Sequence, residues 1–372
     1  MNSGIASSST VQVPADLRIL HLPDVVGGHP AALSRGEREL GYASETYSLV
    51  RSPYGYAADI FAKHQNGNRL VSWLERCINF LQLRGRYNVF HFNYGSSLLN
   101  SANGRLLLAD LPYYPANVKK VMTFQGSDAR DSYESVIDDS IESERRIASP
   151  YLAQELIRCD LAQRRTIRKA TIEKAAKNCS VLLALNPDLL QHLPAGSARF
   201  FPYAIAPLDR VEPDVGFSKR PLHFVHVSTN RILKGTGLIE AVLMEACETL
   251  GITYSIVVKQ PRDMALQEMK KADVFIDQMV LGWYGAAAVE AMYMGKPVIG
   301  YISDRQLSLA PSSLAAELPI INASHKQLYS AIAALVNNRD SLEERGRAGR
   351  DFAVNMHHPQ VAARAALLHY QR

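Results

Sequence analysis

Short runs of β-branched and other apolar residues alternate along most of the chain with longer stretches whose apolar positions recur at helical spacing. In the first half, the short runs predict strands at 17–22, 45–49, 89–92, 120–124 and 181–185. The periodic stretches between them predict helices over 29–40, 69–83 and 150–177. Such alternation is typical of a parallel sheet that is covered by helices.

The same alternation restarts in the second half. Its apolar runs predict strands at 222–227, 253–258, 273–276, 297–301 and 319–321, and its periodic stretches predict helices over 235–250, 264–271, 285–294, 325–337 and 361–370. Between the halves, Pro202, Pro207 and Pro213 fall within twelve residues, which excludes a continuous helix or a central strand. We therefore predict an α/β protein of two parallel-sheet units joined by a linker at 202–213.

Composition agrees with this organisation and limits the class of protein that the chain can be. The chain has 372 residues, of which 47% are hydrophobic, so it has enough material for two cores and is not a disordered chain. Its four cysteines lie far apart, without a CxxC pair, which fits a reducing cytoplasm. No apolar run approaches the ~18–20 residues that span a bilayer. Residues 1–16 are serine-rich and lack the pattern of an export signal, so we expect a disordered tail there.

The formal net charge of +5 suits an anionic ligand or membrane surface and is too weak to indicate nucleic acid. One predicted helix is rich in basic residues, at Arg164, Arg165, Arg168, Lys169, Lys174 and Lys177. Like charges at i,i+4 repel, and an anionic membrane or a phosphorylated acceptor would relieve that repulsion. A solvated helix face explains the same pattern and is favoured two to one.

In open parallel sheets, ligands bind beyond the carboxyl ends of the strands. There the sequence places a Gly27-Gly28 turn, Gln125 and Asp128, the run Ser228–Arg231, Lys259, and the pair Asp277-Gln278. The Gly27-Gly28 turn is equally well explained as a tight strand-to-helix connection. GxGxxG, P-loop and HExxH motifs are absent from the sequence, so dinucleotide, P-loop and zinc-protease chemistry are unsupported.

Two stretches carry most of the chemical information. Arg231 and Lys234 stand three residues apart at a predicted helix start, where backbone amides add partial positive charge, and this would suit a diphosphate; a solvated basic loop is the alternative. Glu290 lies in a helix that is apolar on almost every face. A buried carboxylate needs hydrogen-bond donors, and both a sugar diol and a neighbouring cation would supply them. Gly285 and the turn before it offer a second cluster of amides.

These stretches resemble a known family. The segments HVSTNRILKGT (226–236) and KKADVFIDQMVLGWYGAAAVEAMYMGKPVIGY (270–301) are similar to the donor domain of GT-B glycosyltransferases, in particular the retaining family 4. The segments RILHLPDVVGGHPAALSRGERELGY (18–42) and TFQGSDAR (123–130) resemble the acceptor domain more loosely, and HHPQVAARAALLHY (357–370) resembles the family's closing helix.

The resemblance implies two Rossmann-like domains that face a cleft: an acceptor-side domain at 17–205, a donor domain at 206–356, and a tail helix at 357–372 that crosses back to the first. It implies that Arg231 and Lys234 hold the diphosphate, that Glu290 binds the ribose, that the amides of Gly285 and Ala286 meet the phosphates, and that Gly27 and Gly28 approach the sugar nucleotide. We add Gln125 and Asp128 as catalytic residues, and the remaining donor-binding candidates are Ser228, Thr229, Lys259, Asp277, Gln278 and Tyr284.

Two positions depart from the family pattern. Gly282 stands where many members have a glutamate, and Gln125 where a histidine is common, so Gln125 can form hydrogen bonds but cannot transfer a proton. The expected function is a metal-independent, hexosyltransferase-type enzyme that takes a UDP- or GDP-sugar and a glycan, lipid-linked or small-molecule acceptor, without a cofactor. We expect it in the cytoplasm, with the inner membrane face as a contact. An inactive nucleotide-binding subunit and a nucleotide-sugar epimerase are the alternatives.

Overall fold

Seven parallel strands form the first sheet of the computed structural model, which describes residues 16–64, 68–101, 104–130, 162–212 and 220–371. The strands are β1 (Arg18–Leu22), β2 (Ala43–Ser48), β3 (Ile60–Phe61), β4 (Val89–Asn93), β5 (Lys119–Phe124), β6 (Val181–Ala184) and β7 (Ala198–Phe200). Their spatial order is β3-β2-β1-β4-β5-β6-β7, with Leu20 of β1 in register with Phe90 of β4. The order reverses between β1 and β4, which places a ligand crevice at the carboxyl end of these strands.

Helices cover both faces of this sheet because successive strand residues point to opposite sides. The helices are α1 (His29–Glu39), α2 (Arg69–Leu83) and α3 (Ala162–Asn178). Phe80 of α2 and Ile172 of α3 pack with Phe90 on one face, whereas Leu33 of α1 packs with Val89 on the other. Each face thereby buries a continuous apolar layer.

The second sheet has five parallel strands, β8 (His223–Ser228), β9 (Thr253–Val258), β10 (Val274–Ile276), β11 (Val298–Gly300) and β12 (Ile321–Asn322), in the order β12-β11-β10-β8-β9. Its helices are α4 (Arg231–Lys234), α5 (Thr236–Leu250), α6 (Arg262–Lys271), α7 (Ala286–Tyr293), α8 (Asp304–Leu309), α9 (Ser312–Ala316), α10 (Leu328–Asn337) and α11 (Ser341–His357). Helix α7 is buried along most of its length, as its apolar composition predicts. Its fixed position matters because it carries Glu290.

The last helix, α12 (Pro359–Tyr370), leaves the second unit and packs on α1 of the first. Its inner residues Ala362 and Ala366 are fully buried with Leu33, and the Tyr370 hydroxyl donates to Glu37 Oε1 at 2.9 Å. Residues 201–212 form neither helix nor strand and contact the end of α11, where the Ile205 amide donates to the His357 carbonyl at 3.0 Å. The chain therefore crosses between the units twice.

The predicted α/β class with two parallel sheets is confirmed, and the central strands agree with the predictions within a few residues. The edge strands β3 and β7 and the helices α4, α8, α9 and α11 were not predicted, and the last predicted strand, 319–321, forms instead at Ile321–Asn322. The predicted tail at 1–16 and the first part of the helix predicted at 150–177 lie almost wholly outside the described residues. None of the helices that the structure describes has the length and apolar character needed to cross a bilayer.

Candidate functional site

Lys234 stands just beyond the carboxyl end of β8. Helix α4 begins there because the Asn230 side chain accepts hydrogen bonds from the Ile232 and Leu233 amides, each at 3.1 Å, and it ends at Gly235, which has φ +68°. The Lys234 ammonium donates to Oδ1 of Asp277, a fully buried carboxylate at the end of β10. Two loops that are 43 residues apart in sequence are thus joined by one ion pair.

The same carboxylate fixes the start of α7. Asp277 Oδ2 accepts a hydrogen bond from the Gly285 amide at 2.8 Å, so this amide, which was predicted to meet the phosphates, is already engaged by Asp277. A Cβ at Gly285 would lie 3.0 Å from Lys234 Nζ, so a side chain there would crowd the ammonium. The first amides of a helix have no partner within the helix and carry partial positive charge. Asp277 therefore holds a formal cation beside the amides of Ala286 and the next residue, which is an arrangement suited to a phosphate group.

Glu290 follows one turn into α7 and forms the salt bridge that was one of its two predicted explanations. Its Oε1 accepts from Arg262 Nε at 2.7 Å, and the residue is 8% exposed. Burial raises the pKa of Glu290, and the Arg262 guanidinium partly offsets that rise. The assignment of Glu290 to a ribose stays a prediction.

Arg262 also connects this site to the first unit, which the sequence reasoning missed. Its amide donates to the Tyr54 carbonyl at 3.1 Å. Nearby, the Tyr56 ring lies against Gly28, where a Cβ would be 2.9 Å from Tyr56 Cδ1. Burial, followed by the Glu290 charge, raises the pKa of Tyr56 to about 12. The available signal was a cation at the first position of α6, just beyond the predicted strand that ends at Val258.

Gly27 and Gly28 lie at the carboxyl end of β1, as predicted. They have φ values of +64° and +71°, which disfavour other residues, and they form a short 3₁₀ turn before α1. Among the described residues, no heavy atom of a non-adjacent residue lies within 4 Å of the position a Gly27 Cβ would occupy. The turn therefore leaves room beside the Gly27 backbone.

Gln125 and Asp128 lie together after β5, but Asp128 serves its own loop. Its carboxylate accepts from the Gly126 amide at 2.6 Å and from the Gln125 amide at 3.1 Å. Burial raises the pKa of Asp128 to about 6 despite these hydrogen bonds. Below the loop, Arg130 and Asp188 form a buried bidentate ion pair. Asp128 thus shapes the turn that presents Gln125, whose buried Nε2 has no hydrogen-bond partner among the described residues.

Three other predicted residues are engaged elsewhere. Arg231 donates to Glu240 at 2.6 Å, and both side chains are nearly half exposed. The Gln278 side chain donates to the Tyr301 carbonyl and accepts from two amides of its own loop, so its polar atoms are occupied by backbone. Tyr284 is buried, and its hydroxyl lies 3.1 Å from His357 Nε2. The Gln278 and Tyr284 side chains are thus buried and hydrogen-bonded within the protein, and their assignment to donor binding stays a prediction.

The backbone conformation and the close packing at Gly282 explain why no acidic side chain occupies this position. It has φ +72°, and a Cβ would lie 2.8 Å from Ser303 Oγ. The remaining predicted residues follow β8 and β9. Ser228 is buried and its Oγ has no partner among the described residues, whereas Thr229 and Lys259 are exposed. In the described part of the chain, no group of three or more His, Cys, Asp or Glu side chains is placed to hold a metal ion.

A scan against protein-family models finds no match to the chain, and a search of curated proteins finds none either. Solved structures resemble it over nearly its whole length. Sucrose-phosphate synthase from Thermosynechococcus elongatus is 16% identical, with a TM-score of 0.58 over 94% of this chain and 98% of that one. A glycosyltransferase from Rickettsia africae is 13% identical, with a TM-score of 0.57 over 95% and 98%. An alpha-glucosyltransferase in complex with UDP and a 13-mer DNA is 10% identical, with a TM-score of 0.55 over 94% and 98%.

At these identities the likeness establishes the fold. The chain has the GT-B architecture of two Rossmann-like units whose strands direct their carboxyl ends toward a shared cleft. Contacts such as Arg262 with Tyr54 and Arg305 with Gln191 join the units across that cleft. Fold alone does not determine chemistry, so function has to be argued from the site.

Proposed function

We propose that this protein is a retaining, family 4-like glycosyltransferase that moves a sugar from a nucleoside diphosphate sugar to an acceptor hydroxyl. One observation carries the proposal: the Lys234 ammonium, held by buried Asp277, stands beside the first amides of α7 at the cleft edge of the second sheet. A departing nucleoside diphosphate develops negative charge, and preorganised cations and amides stabilise that charge best where water is excluded.

The bond changes follow from this placement. The bond between the anomeric carbon and the diphosphate oxygen breaks, the acceptor oxygen bonds to the same face of that carbon, and the leaving phosphate takes the acceptor proton. Lys234 and the α7 amides stabilise the leaving group. Arg231 joins them by giving up its exposed ion pair with Glu240 for the diphosphate, since surface ion pairs contribute only ~0–1 kcal/mol to stability. Gln125 then needs only to orient the acceptor. Because this mechanism uses side-chain and amide charge, we propose that it needs no metal, and activity should persist in EDTA.

The decisive experiment replaces Lys234 by glutamine, which keeps an N–H donor for Asp277 and removes the charge. We expect turnover with the best sugar nucleotide to fall by about 10²–10³, the usual effect of losing one such charged group. Lys271→Ala is the matched control, because this lysine pairs with Glu268 on the surface of α6 and is 63% exposed. The Lys271→Ala protein should unfold at a temperature close to that of the parent. Lys234→Gln leaves the buried Asp277 carboxylate without a cationic partner, so it should unfold at a lower temperature, and turnover is compared well below that temperature. Near-normal turnover of the Lys234→Gln protein would refute the assignment.

Binding, transfer and NMR measurements separate the two alternative functions. Nucleotide binding measured by calorimetry, with no transfer to any acceptor in a panel of glycans, lipid-linked sugars and small molecules, would indicate an inactive binding subunit. An isomerised sugar, detected by NMR after incubation with the sugar nucleotide alone, would indicate an epimerase. UDP-sugars come first in the panel because the similar alpha-glucosyltransferase was solved with UDP. GDP-sugars come next.

A further inference from the structure

Helix α2 carries a row of large apolar side chains on its outer side. Leu70, Leu74, Ile78 and Leu81, which we call the α2 stripe, are 68%, 54%, 52% and 60% exposed. Their spacing of four, four and three residues places them on one face of the helix. Val71, which is 40% exposed, extends the same face. A surface helix of a globular protein normally turns such a stripe toward the core.

The inner side of α2 already has its partners. Phe80 and Leu83 are the buried residues of this helix and pack into the core of the first unit. Arg76 Nη1 donates to the Asn100 carbonyl, and Asn79 donates to the Tyr47 hydroxyl at 2.7 Å. These contacts fix the rotation of α2 about its axis. The outward direction of the α2 stripe is therefore built into the packing, and no described residue of the chain buries it.

Cations lie at both ends of the α2 stripe, where Arg69 and Arg86 are exposed. Helix α3 packs on the same face of the sheet as α2, and it exposes Arg164, Lys169 and Lys177 with Glu173 as the exposed acid. The helix that the sequence singled out for its basic charge thus covers the same face of the sheet as the helix that carries the exposed apolar row.

We propose that the α2 stripe docks on an anionic lipid bilayer, with α3 supplying additional positive charge. An apolar helix face flanked by arginine and lysine is the composition of helices that lie in a membrane interface. A second copy of this chain is a poorer partner, because pairing two α2 helices in either direction brings arginines at their ends close together. The proposal is independent of the proposed transferase activity, since lipid binding is measured without sugar nucleotide.

The test is co-sedimentation of the full chain with vesicles of phosphatidylcholine alone, or of phosphatidylcholine mixed with phosphatidylglycerol. We expect binding to the mixed vesicles that exceeds binding to the neutral ones and weakens with salt. The variant Leu74→Gln/Ile78→Gln should bind at least about tenfold more weakly, because it removes apolar area from the interface. Met244→Gln/Leu368→Gln is the matched control, since these side chains are 53% and 59% exposed on other helices. It should bind like the parent.

A second pair of variants tests the charge. Arg164→Gln/Lys169→Gln should remove most of the preference for phosphatidylglycerol, whereas Arg345→Gln/Arg347→Gln, on α11 of the second unit, should preserve it. The lipid proposal is overturned by equal binding of the parent and the Leu74→Gln/Ile78→Gln variant. It is overturned equally by a dimer in sedimentation velocity that the same substitutions dissociate, because the stripe would then serve a second copy.

Discussion

Asp277 shows how much one buried carboxylate can organise. Its two oxygens bind the Lys234 ammonium and the Gly285 amide, and its own amide donates to the Ile299 carbonyl at 2.9 Å. Breaking a buried pair by removing one partner typically costs ~3–5 kcal/mol. Lys234→Gln is still preferable to alanine because it keeps an N–H donor for Asp277, but it also removes the cation, so turnover has to be measured where the variant is shown to be folded.

At the residue scale, we predict a pH dependence from His357. Its Nδ1 donates to the Tyr203 carbonyl at 2.9 Å, and its Nε2 accepts from the Tyr284 hydroxyl. Burial lowers the pKa of His357 from 6.5 to about 4. Between these values the unfolded chain binds the proton and the folded chain does not, so the free energy of unfolding falls as the pH drops.

This one histidine should contribute about 1.4 kcal/mol per pH unit to that fall. The measurement is denaturant unfolding of the parent and of His357→Gln across the same pH range. The variant should be less stable in mildly alkaline buffer and should show a shallower slope in acid. Parallel pH profiles for the two proteins would contradict the prediction.

The sequence predicted where the candidate residues of the second unit lie better than it predicted their partners. Lys234, Asp277, Gly285 and Glu290 all lie at the expected edge of the sheet. The pairing of Glu290 with Arg262 depends on tertiary structure, because the two residues are 28 positions apart and lie on different helices. Hydrophobic periodicity reports which way a side chain faces but does not report which cation faces it.

At the scale of elements, the central strands were predictable because buried parallel strands read as continuous apolar runs. The edge strands β3 and β7 have only two and three residues, which is too short for a hydrophobic pattern. Their extended conformation depends on pairing with the neighbouring strand. Helix α11 contains Gly346 and Gly349, which lower helix propensity. A Cβ at Gly346 would lie 2.0 Å from the Gly295 carbonyl oxygen, so this glycine permits a close packing that no local pattern reveals.

The contact of α1 with α12 gives the prediction at this scale. A Cβ at Gly36 would lie 2.1 Å from the Pro359 carbonyl oxygen. Gly36→Ala should therefore destabilise the protein by about 1–3 kcal/mol through overpacking. Gly237→Ala in α5 is the control, because no heavy atom of a non-adjacent described residue lies within 4 Å of the added Cβ. This variant should be neutral or stabilised by at most about 1 kcal/mol. Equal thermal unfolding temperatures for the two variants would contradict the prediction and would show that α12 can shift away from α1 without loss of stability.

At the scale of the whole molecule, the two sheets were predictable as separate βα alternations, and the linker from its prolines. The contacts that bring them together were not, since Arg262 with Tyr54 and Arg305 with Gln191 join segments that are far apart in sequence. Neither contact leaves a periodic signal in sequence. The two-unit plan is therefore readable locally, whereas the geometry of the cleft is a product of tertiary packing.

A nucleotide screen tests the cleft as a unit. If the second unit binds a nucleoside diphosphate, a ligand at 100 times its dissociation constant should stabilise the fold by ~2.7 kcal/mol. We expect one of UDP and GDP to raise the unfolding temperature clearly more than ADP or inorganic phosphate does. The Lys234→Gln protein should lose most of that rise. The absence of a rise with every nucleotide would contradict the proposed ligand class.

The return of α12 to the first unit has a consequence for the order in which the two cores can form during synthesis. Part of the core of the first unit comes from α12, whose Ala362 and Ala366 pack with Leu33 and whose Tyr370 reaches Glu37 and His91. A ribosome synthesises α12 only after every strand of the second sheet. The second unit can therefore complete its core first, while the first unit, although made earlier, keeps an apolar face uncovered until α12 emerges. During translation, that face is an apolar surface that a chaperone would have to shield until α12 is made.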